Sequence, residues 1–211
     1  MITYRDALKS DLKTIAELLT ESFSRYLLFE MYVADEDKRL KFIKAIHDMH
    51  TKVCFKNQTV LVGVKDDEIV AVAILKAPGI PENNIFDYVL SGGLNVLFAG
   101  GVFSSFGFLG MSNEVNAKCN MQYPDSWYLS TLAISSPCQG QGLGGKMINE
   151  CIKPYIKSQG GDMCTLVTHT EGNHNFYIKN GFTQFHSQVI RRNKKELNNW
   201  SYKVDLNPEL L

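Results

Sequence analysis

The segment at residues 139–146 reads Gln-Gly-Gln-Gly-Leu-Gly-Gly-Lys and lies between two apolar stretches. Before it, Trp127 to Ile134 form a nearly continuous apolar run, which predicts a central strand covered on both faces. After it, residues 147–156 place their apolar side chains on one side of a predicted helix. Glycines let consecutive backbone N–H groups turn toward one anion, and a helix N-terminus adds donors and a favourable dipole. The pattern therefore indicates a phosphate-binding turn between a strand and a helix.

Two common phosphate-binding motifs fit these glycines imperfectly. The dinucleotide fingerprint GxGxxG matches Gly140, Gly142 and Gly145, but in a Rossmann turn the glycines follow the strand almost at once, and here several residues intervene. The P-loop pattern GxxxxGK also matches, but Met147 stands where a Ser or Thr hydroxyl would bind magnesium. A dehydrogenase, kinase or NTPase is therefore disfavoured. A glycine-rich turn without any ligand stays open.

Residues 139–144 also fit the pattern [R/Q]-x-x-G-x-[G/A], the pyrophosphate-binding signature of the GNAT superfamily of N-acetyltransferases, and the chain resembles that family. The run from Trp127 to Pro137 looks like the fourth strand of the family. Residues 173–182, Asn-His-Asn-Phe-Tyr-Ile-Lys-Asn-Gly-Phe, are similar to a later family element, with a shorter gap after the asparagine. In element order the resemblance covers nearly the whole chain, whereas its specific motifs lie between Trp127 and Phe182.

The resemblance implies an α/β fold of the mixed α+β kind, with a central sheet of about seven strands flanked by helices. The predicted order is β α α β β, insertion, β α β α β β, within one acetyltransferase domain at residues 1–211. Residues 78–125, rich in glycine and phenylalanine, are predicted to form an insertion of broken helices before the fourth strand, on the acceptor side. Pro154 is expected to kink or shorten the helix after the glycine turn. Residues 173–180 are predicted to form a short helix, and residues 200–206 the last strand.

By the same resemblance, acetyl-CoA is the expected co-substrate. Its pantetheine arm would pair with the backbone edge of the fourth strand at Leu132 and Ile134, as an added strand does. The pyrophosphate would lie on the turn, and two further contacts would come from Asn173 and Phe176. The residues implied for the pyrophosphate are Gln139, Gly140, Gln141, Gly142, Leu143, Gly144 and Gly145.

The resemblance also implies direct transfer of the acetyl group to a neutral amine. Tyr177 matches the family's tyrosine, which protonates the departing thiolate, and it lies one helical turn after Asn173. The backbone N–H of Ile134 is the candidate for stabilising the thioester oxygen. The general base stays open between Glu171 and His169, both at or just beyond a predicted strand end.

Composition narrows the possible partners. The chain has 22 basic and 22 acidic residues, so its formal net charge is zero, which argues against nucleic-acid binding by phosphate neutralisation. Its five cysteines are scattered and never in CxxC spacing, so neither a disulfide framework nor a metal site is expected. Reduced thiols and the absence of a visible signal peptide favour a cytoplasmic protein.

One segment complicates this interpretation, because residues 88–113 contain no formally charged side chain and many apolar ones. Such a length could cross a bilayer, but its polar residues and glycines and the lack of a basic flank disfavour that. The preferred hypothesis is an N-acetyltransferase, a monomer or homodimer, acting on a small, partly apolar amine. Two alternatives stay open: an acyl-CoA-binding module without catalysis, and a protein associated with a membrane through residues 88–113.

Overall fold

A computed structural model of the chain describes residues 1–81 and 83–207. In it, seven strands form one sheet in the order β1-β2-β3-β4-β5-β7-β6. The strands are β1 Ile2–Asp6, β2 Thr59–Lys65, β3 Glu68–Lys76, β4 Trp127–Ile134, β5 Met163–Thr168, β6 Thr183–Arg192 and β7 Lys195–Asp205. All neighbours pair antiparallel except β4 and β5, which are parallel. The predicted mixed sheet of seven strands is therefore confirmed.

Helices cover both faces of this sheet. Their bounds are α1 Leu12–Ser22, α2 Leu27–Glu30, α3 Glu36–Asn57, α4 Ile85–Tyr88, α5 Leu94–Gly100, α6 Val102–Gln122, α7 Leu143–Lys146, α8 Lys153–Ser158 and α9 Glu171–Lys179. Two π-helical segments, Val89–Gly93 and Met147–Ile152, join α4 to α5 and α7 to α8.

The parallel pair β4 and β5 separates soon after it begins. Its register contains only two pairs, Trp127 with Cys164 and Tyr128 with Thr165, although β4 continues to Ile134. On its other side β4 stays paired with β3, with a register shift at Ser130. Such a bulge bends a strand and increases its twist. The two central strands therefore diverge in a V. Along the C-terminal part of β4, up to Ile134, the backbone edge that faces β5 is unpaired.

Two apolar clusters hold the layers together. On one face, Met147, Ile152 and Ile156 of the segment α7 to α8 are fully buried against the sheet, together with Tyr177 of α9. On the other face, Ile15 and other apolar residues of α1 pack on β2 and β3. Successive side chains of a strand point to opposite faces of the sheet, so each strand contributes apolar residues to both clusters.

The insertion before β4 consists of broken helices, as predicted, and it packs on α3. Val96 of α5 joins Phe42 and Ile43 of α3 in one buried cluster. Phe108 of α6 stacks on Phe29 of α2, with ring centroids 4.9 Å apart. Gly101 separates α5 from α6 with a φ of +79°, a conformation that side chains with a Cβ rarely adopt.

The helical segment runs through Pro154 to Ser158, with a π-helical turn, Met147–Ile152, directly before it. Two sequence-based predictions of element bounds need correction. The helix predicted to begin at Asn173 begins at Glu171, because the side chain of Thr170 accepts a hydrogen bond from the Asn173 N–H and caps it. The last strand begins at Lys195 instead of Trp200, after a turn in which Asn193 and Lys194 have positive φ.

We expect two glycine-to-alanine substitutions in the insertion to have opposite effects. A Cβ at Gly100 would lie 2.2 Å from the Cδ2 atom of the buried Phe42 ring, so Gly100→Ala should lower the free energy of unfolding by about 1–3 kcal/mol. Gly110 has nothing within 4 Å of the added Cβ, so Gly110→Ala should raise it by about 0.5–1 kcal/mol. Urea unfolding measures both. Equal stability of the two variants would contradict the close packing of α5 on α3.

Candidate functional site

The C-terminal part of β4, after Tyr128, directs backbone groups into the V. The Ser135 N–H donates to the Val70 carbonyl of β3 over 2.9 Å. Because backbone groups of a strand alternate between its two neighbours, the N–H and C=O of Ile134 and Leu132 point away from β3. They face the side where β5 has already diverged. The Ile134 carbonyl accepts a hydrogen bond from Gln139 Nε2 at 3.0 Å, so its N–H is the group directed at the opening.

The glycine turn is held in shape by the side chains of its two glutamines. Gln139 Nε2 donates to Ile134 as described, and Gln141 Nε2 donates to the Pro137 carbonyl at 3.0 Å. Gly140 and Gly142 have φ values of +75° and +76°, which only glycine adopts at little cost. The turn is therefore fixed by its own side chains and bends where glycine permits.

Helix α7 starts at this turn with unsatisfied donors. Its first intrahelical bond runs from the Lys146 N–H to the Gly142 carbonyl at 3.1 Å. The N–H groups of Leu143, Gly144 and Gly145 precede that bond and have no carbonyl one turn earlier to accept them. Since the helical segment continues to Ser158, its dipole adds a favourable potential for an anion at this end.

Phe176 of α9 packs directly on the start of α7. A Cβ at Gly144 would lie 3.1 Å from Phe176 Cζ and 3.7 Å from Ile134 Cγ1. The absence of a side chain at Gly144 thus brings the turn, the end of β4 and α9 into contact. This contact places three of the sequence-predicted elements around one point.

A cavity of about 410 Å³ occupies the V and the space beneath the insertion. The predicted site residues that line it are Leu132, His169, Asn173 and Tyr177. Ile134, Phe176, Glu171 and residues 139–145 do not line it. The cavity and the glycine turn are therefore adjacent sites, joined by the edge of β4.

Tyr177 lies at the sheet side of this cavity. Its side chain is 8% exposed, and burial raises the pKa of its hydroxyl well above the usual value. Within the described chain the hydroxyl has no hydrogen-bond partner. The hydroxyls of Tyr26 and Tyr128 are near enough for the Tyr177 oxygen to raise the pKa of each further. Tyr177 is thus protonated at neutral pH and can donate to a ligand.

Tyr26 and His169 form a polar pair that sequence reasoning did not identify. Tyr26 Oη lies 2.5 Å from His169 Nδ1, and both residues line the cavity. Burial lowers the pKa of His169 to about 4, outweighing the neighbouring Asn199, so the imidazole is neutral at neutral pH. A neutral imidazole that receives the Tyr26 proton at Nδ1 acts as an acceptor there. Tyr26 directly precedes α2 and His169 directly follows β5, so no local pattern in the sequence indicates that the two residues are in contact.

The two candidate bases named from sequence differ in position. His169 follows β5 and faces the cavity, whereas Glu171 is exposed on the first turn of α9 and lies outside the lining. Asn173 is exposed but reaches the cavity edge, two residues further along the helix. The geometry brings His169, Asn173 and Tyr177 together and leaves Glu171 apart.

Comparison with known proteins shows which family part of the chain resembles. A family model described as Acetyltransferase (GNAT) domain matches residues 96–184, which run from α5 through the glycine turn to the start of β6. A search of curated proteins gave no match.

Solved structures share the fold over almost the whole chain. A protein from Corynebacterium glutamicum ATCC 13032, described as histone acetyltransferase HPA2 and related acetyltransferase, has 19% identity and a TM-score of 0.69, covering 97% of this chain and 96% of its own. PaiA N-acetyltransferase from Thermoplasma acidophilum, solved in complex with coenzyme A, has 14% identity and a TM-score of 0.57, with coverages of 97% and 99%. An acetyltransferase from Bacillus subtilis, also in complex with CoA, has 11% identity and a TM-score of 0.53, with coverages of 97% and 99%. The resemblance to the GNAT superfamily is thereby confirmed, and the chain has the GNAT fold.

The uncharged segment, residues 88–113, lies in helices whose ability to span a membrane can be judged from their length and bend. Over residues 1–81 and 83–207, no helix by itself has the length and apolar character to cross a bilayer. The pair Ile85–Gly100 and Val102–Gln122 meets those criteria only when taken together, and it is bent by 120°.

We expect the buried imidazole of His47, another cavity residue, to make the fold sensitive to acid. Burial between the Phe23 and Phe29 rings, and then the neighbouring His50, lower its pKa from 6.5 to about 3. Below pH 6.5 the unfolded chain therefore binds more protons at this site, and stability falls as pH falls. His47→Phe removes that term, so between pH 7 and pH 5 the variant should gain about 2 kcal/mol relative to the wild type. Urea unfolding at both pH values measures this; parallel losses in the two proteins would contradict it.

Proposed function

We propose that this protein is an acetyl-CoA-dependent N-acetyltransferase that moves the acetyl group directly to a primary amine of a small acceptor. The observation that carries the proposal is the unpaired edge of β4 beside a turn of unsatisfied amides. An extended chain could pair with the β4 edge while a diphosphate attached to that chain binds the amides of the turn. Two of the similar structures were solved with coenzyme A, which has both parts.

The cofactor contacts follow from this arrangement. The pyrophosphate would accept hydrogen bonds from backbone N–H groups of residues 139–145, chiefly the orphan donors at the start of α7. The pantetheine arm would lie along Leu132 and Ile134, between β4 and α9, with Asn173 at the cavity edge and Phe176 beside the turn. The thioester would then reach the cavity near Tyr177.

Three groups would act on the reacting atoms. The Ile134 N–H would hold the thioester oxygen as negative charge develops on it. The amine nitrogen attacks the carbonyl carbon, an N–C bond forms, and the C–S bond breaks. Tyr177 would give its proton to the departing thiolate, and its raised pKa keeps that proton in place beforehand.

The pair of Tyr26 and His169 is the best placed to take the proton from the amine. The Tyr26 oxygen would accept it while the Tyr26 O–H passes its own proton to His169 Nδ1, 2.5 Å away. The nitrogen formed by attack on the thioester is strongly acidic, so even an imidazole with a low pKa can serve. Glu171, from its exposed position, could act only through intervening water and stays a prediction as base.

We further propose that residues 1–211 form one acetyltransferase unit in which residues 78–125 build the acceptor side. Helices α4, α5 and α6 of that insertion contribute apolar side chains to the cavity lining, among them Ile85, Leu94 and Phe106. A monomer or homodimer satisfies this arrangement.

The five cysteines are free thiols, which suits a reducing compartment such as the cytoplasm.

A pair of glycine variants tests the cofactor site. Gly142 and Gly160 have φ values of +76° and +77° and open space around an added Cβ, so valine imposes similar backbone strain at both. Acetyl-CoA at 100 times its Kd should stabilise the wild type by about 2.7 kcal/mol. Gly142→Val, in the turn, should weaken acetyl-CoA binding at least about tenfold, which corresponds to about 1.4 kcal/mol. Gly160→Val, between α8 and β5, should leave it unchanged. If acetyl-CoA fails to raise the wild-type melting temperature, the proposed function is wrong.

Conservative tyrosine variants test the chemistry. Tyr177→Phe and Tyr26→Phe each remove one hydroxyl and should lower kcat by roughly 10²-fold or more, at unchanged acetyl-CoA affinity. Tyr155→Phe is the matched control, because its hydroxyl contacts Thr59 outside the cavity lining. Steady-state CoA release and calorimetric binding give the two quantities. A wild type that binds acetyl-CoA but acetylates no amine would instead be a binding module.

A further inference from the structure

The mouth of the cavity is rimmed by exposed apolar side chains. Five residues of the insertion both line the cavity and remain 37% to 57% exposed: Ile85, Val89, Leu94, Phe106 and Leu109. Side chains of this size are normally buried or scattered singly over a surface. Their concentration at one opening points to a ligand that covers them.

The same segment carries further exposed apolar side chains. Leu90, Phe98 and Phe103 have exposures of 83%, 87% and 95%, and residues 88–113 carry no formal charge. On the side of α3, lysines and an aspartate lie against residues 91–99. Inward, the cavity lining includes the aromatic rings of Phe23 and Phe29. Apolar side chains therefore lie both at the mouth of the cavity and inside it.

The polar lining of the cavity comes from α3, α6 and the sheet, and one group of it lies at the sheet side. Tyr177 and the pair of Tyr26 and His169 lie there, next to Leu132 of the β4 edge. The cavity thus offers polar groups where the thioester would arrive and an apolar rim where an acceptor would enter. A ligand that matches both ends has a small polar head on an extended apolar body.

We propose that the acceptor is a lipophilic primary amine, whose amino group lies near Tyr177 and whose apolar chain or ring system extends to the rim of the insertion. This inference rests on the proposed function and names its substrate class. The reaction is the one given above: acetyl-CoA supplies the acetyl group, the amine nitrogen gains it and loses a proton, and free CoA leaves as the thiol. The rim residues contribute to binding the acceptor and take no part in the chemical step.

A homologous series of straight-chain primary amines tests the proposal, from propylamine through hexylamine to decylamine, each below its micellar concentration. Their amino groups are alike in reactivity, so differences report the apolar chain. We expect kcat/KM, measured by CoA release, to rise with chain length by up to about fourfold for each added CH₂. Calorimetric binding of the same amines to the protein saturated with CoA should show the same trend without turnover.

Two phenylalanine variants locate the effect. Phe106 lines the cavity and Phe103, one turn earlier on α6, does not. Phe106→Ser should lower kcat/KM for decylamine about tenfold and that for propylamine far less, because a three-carbon chain has little apolar surface to bury. Phe103→Ser, the same substitution at a more exposed site, should alter neither. Because both side chains are largely exposed, both variants should fold.

Several results would overturn the inference. A flat dependence on chain length, or chain-length dependence that Phe106→Ser leaves intact, would exclude the rim as the binding surface for the acceptor. Equal losses in both variants, together with binding to phosphatidylcholine and phosphatidylglycerol vesicles, would make the surface a membrane contact. A dimer that both variants dissociate would make it an interface between copies. If acetyl-CoA itself does not bind, the proposed function fails and the inference with it; if acetyl-CoA binds and no amine of the series binds or reacts, the inference alone fails.

Discussion

The site depends on one constraint: a central strand of the sheet is left with an unsatisfied backbone edge. Buried or half-buried N–H and C=O groups need partners, and a neighbouring strand normally provides them. Here β5 leaves β4 after Tyr128, while the bulge at Ser130 keeps β4 on β3 and the Ser130 hydroxyl donates to the Ile74 carbonyl at 3.1 Å. The opening between β4 and β5 thus results from the strand register. An extended ligand could form hydrogen bonds with the exposed edge of β4.

Burial keeps five titratable side chains of the cavity uncharged, and this has a chemical consequence. Low polarity raises the pKa of Tyr26, Tyr128 and Tyr177 and lowers that of His47 and His169. All five are therefore uncharged at neutral pH. An environment that opposes charge on its own side chains also opposes an ammonium ion, and so favours the neutral amine that acetyl transfer requires.

Local features were predictable from sequence, and long-range ones were not. The glycine turn, β4 and the helix after the turn are contiguous in the chain, so residue spacing alone placed them correctly. The start of α9 differs from the predicted one because the cap is Thr170, whose side chain accepts a hydrogen bond from the Asn173 N–H. The contact of Tyr26 with His169 joins residues far apart in the chain, and only the folded sheet brings them together.

The uncharged segment shows why composition alone was ambiguous. A run such as residues 88–113 is compatible with a bilayer span, a buried helix or an exposed surface, since all three lack charge. The structure divides it: Val96 and Phe108 pack on α3 and α2, whereas Leu94 and Phe106 stay exposed at the cavity mouth. Packing explains only the first group. The second group is exposed to water at the mouth of the cavity, and the acceptor proposed above would cover it.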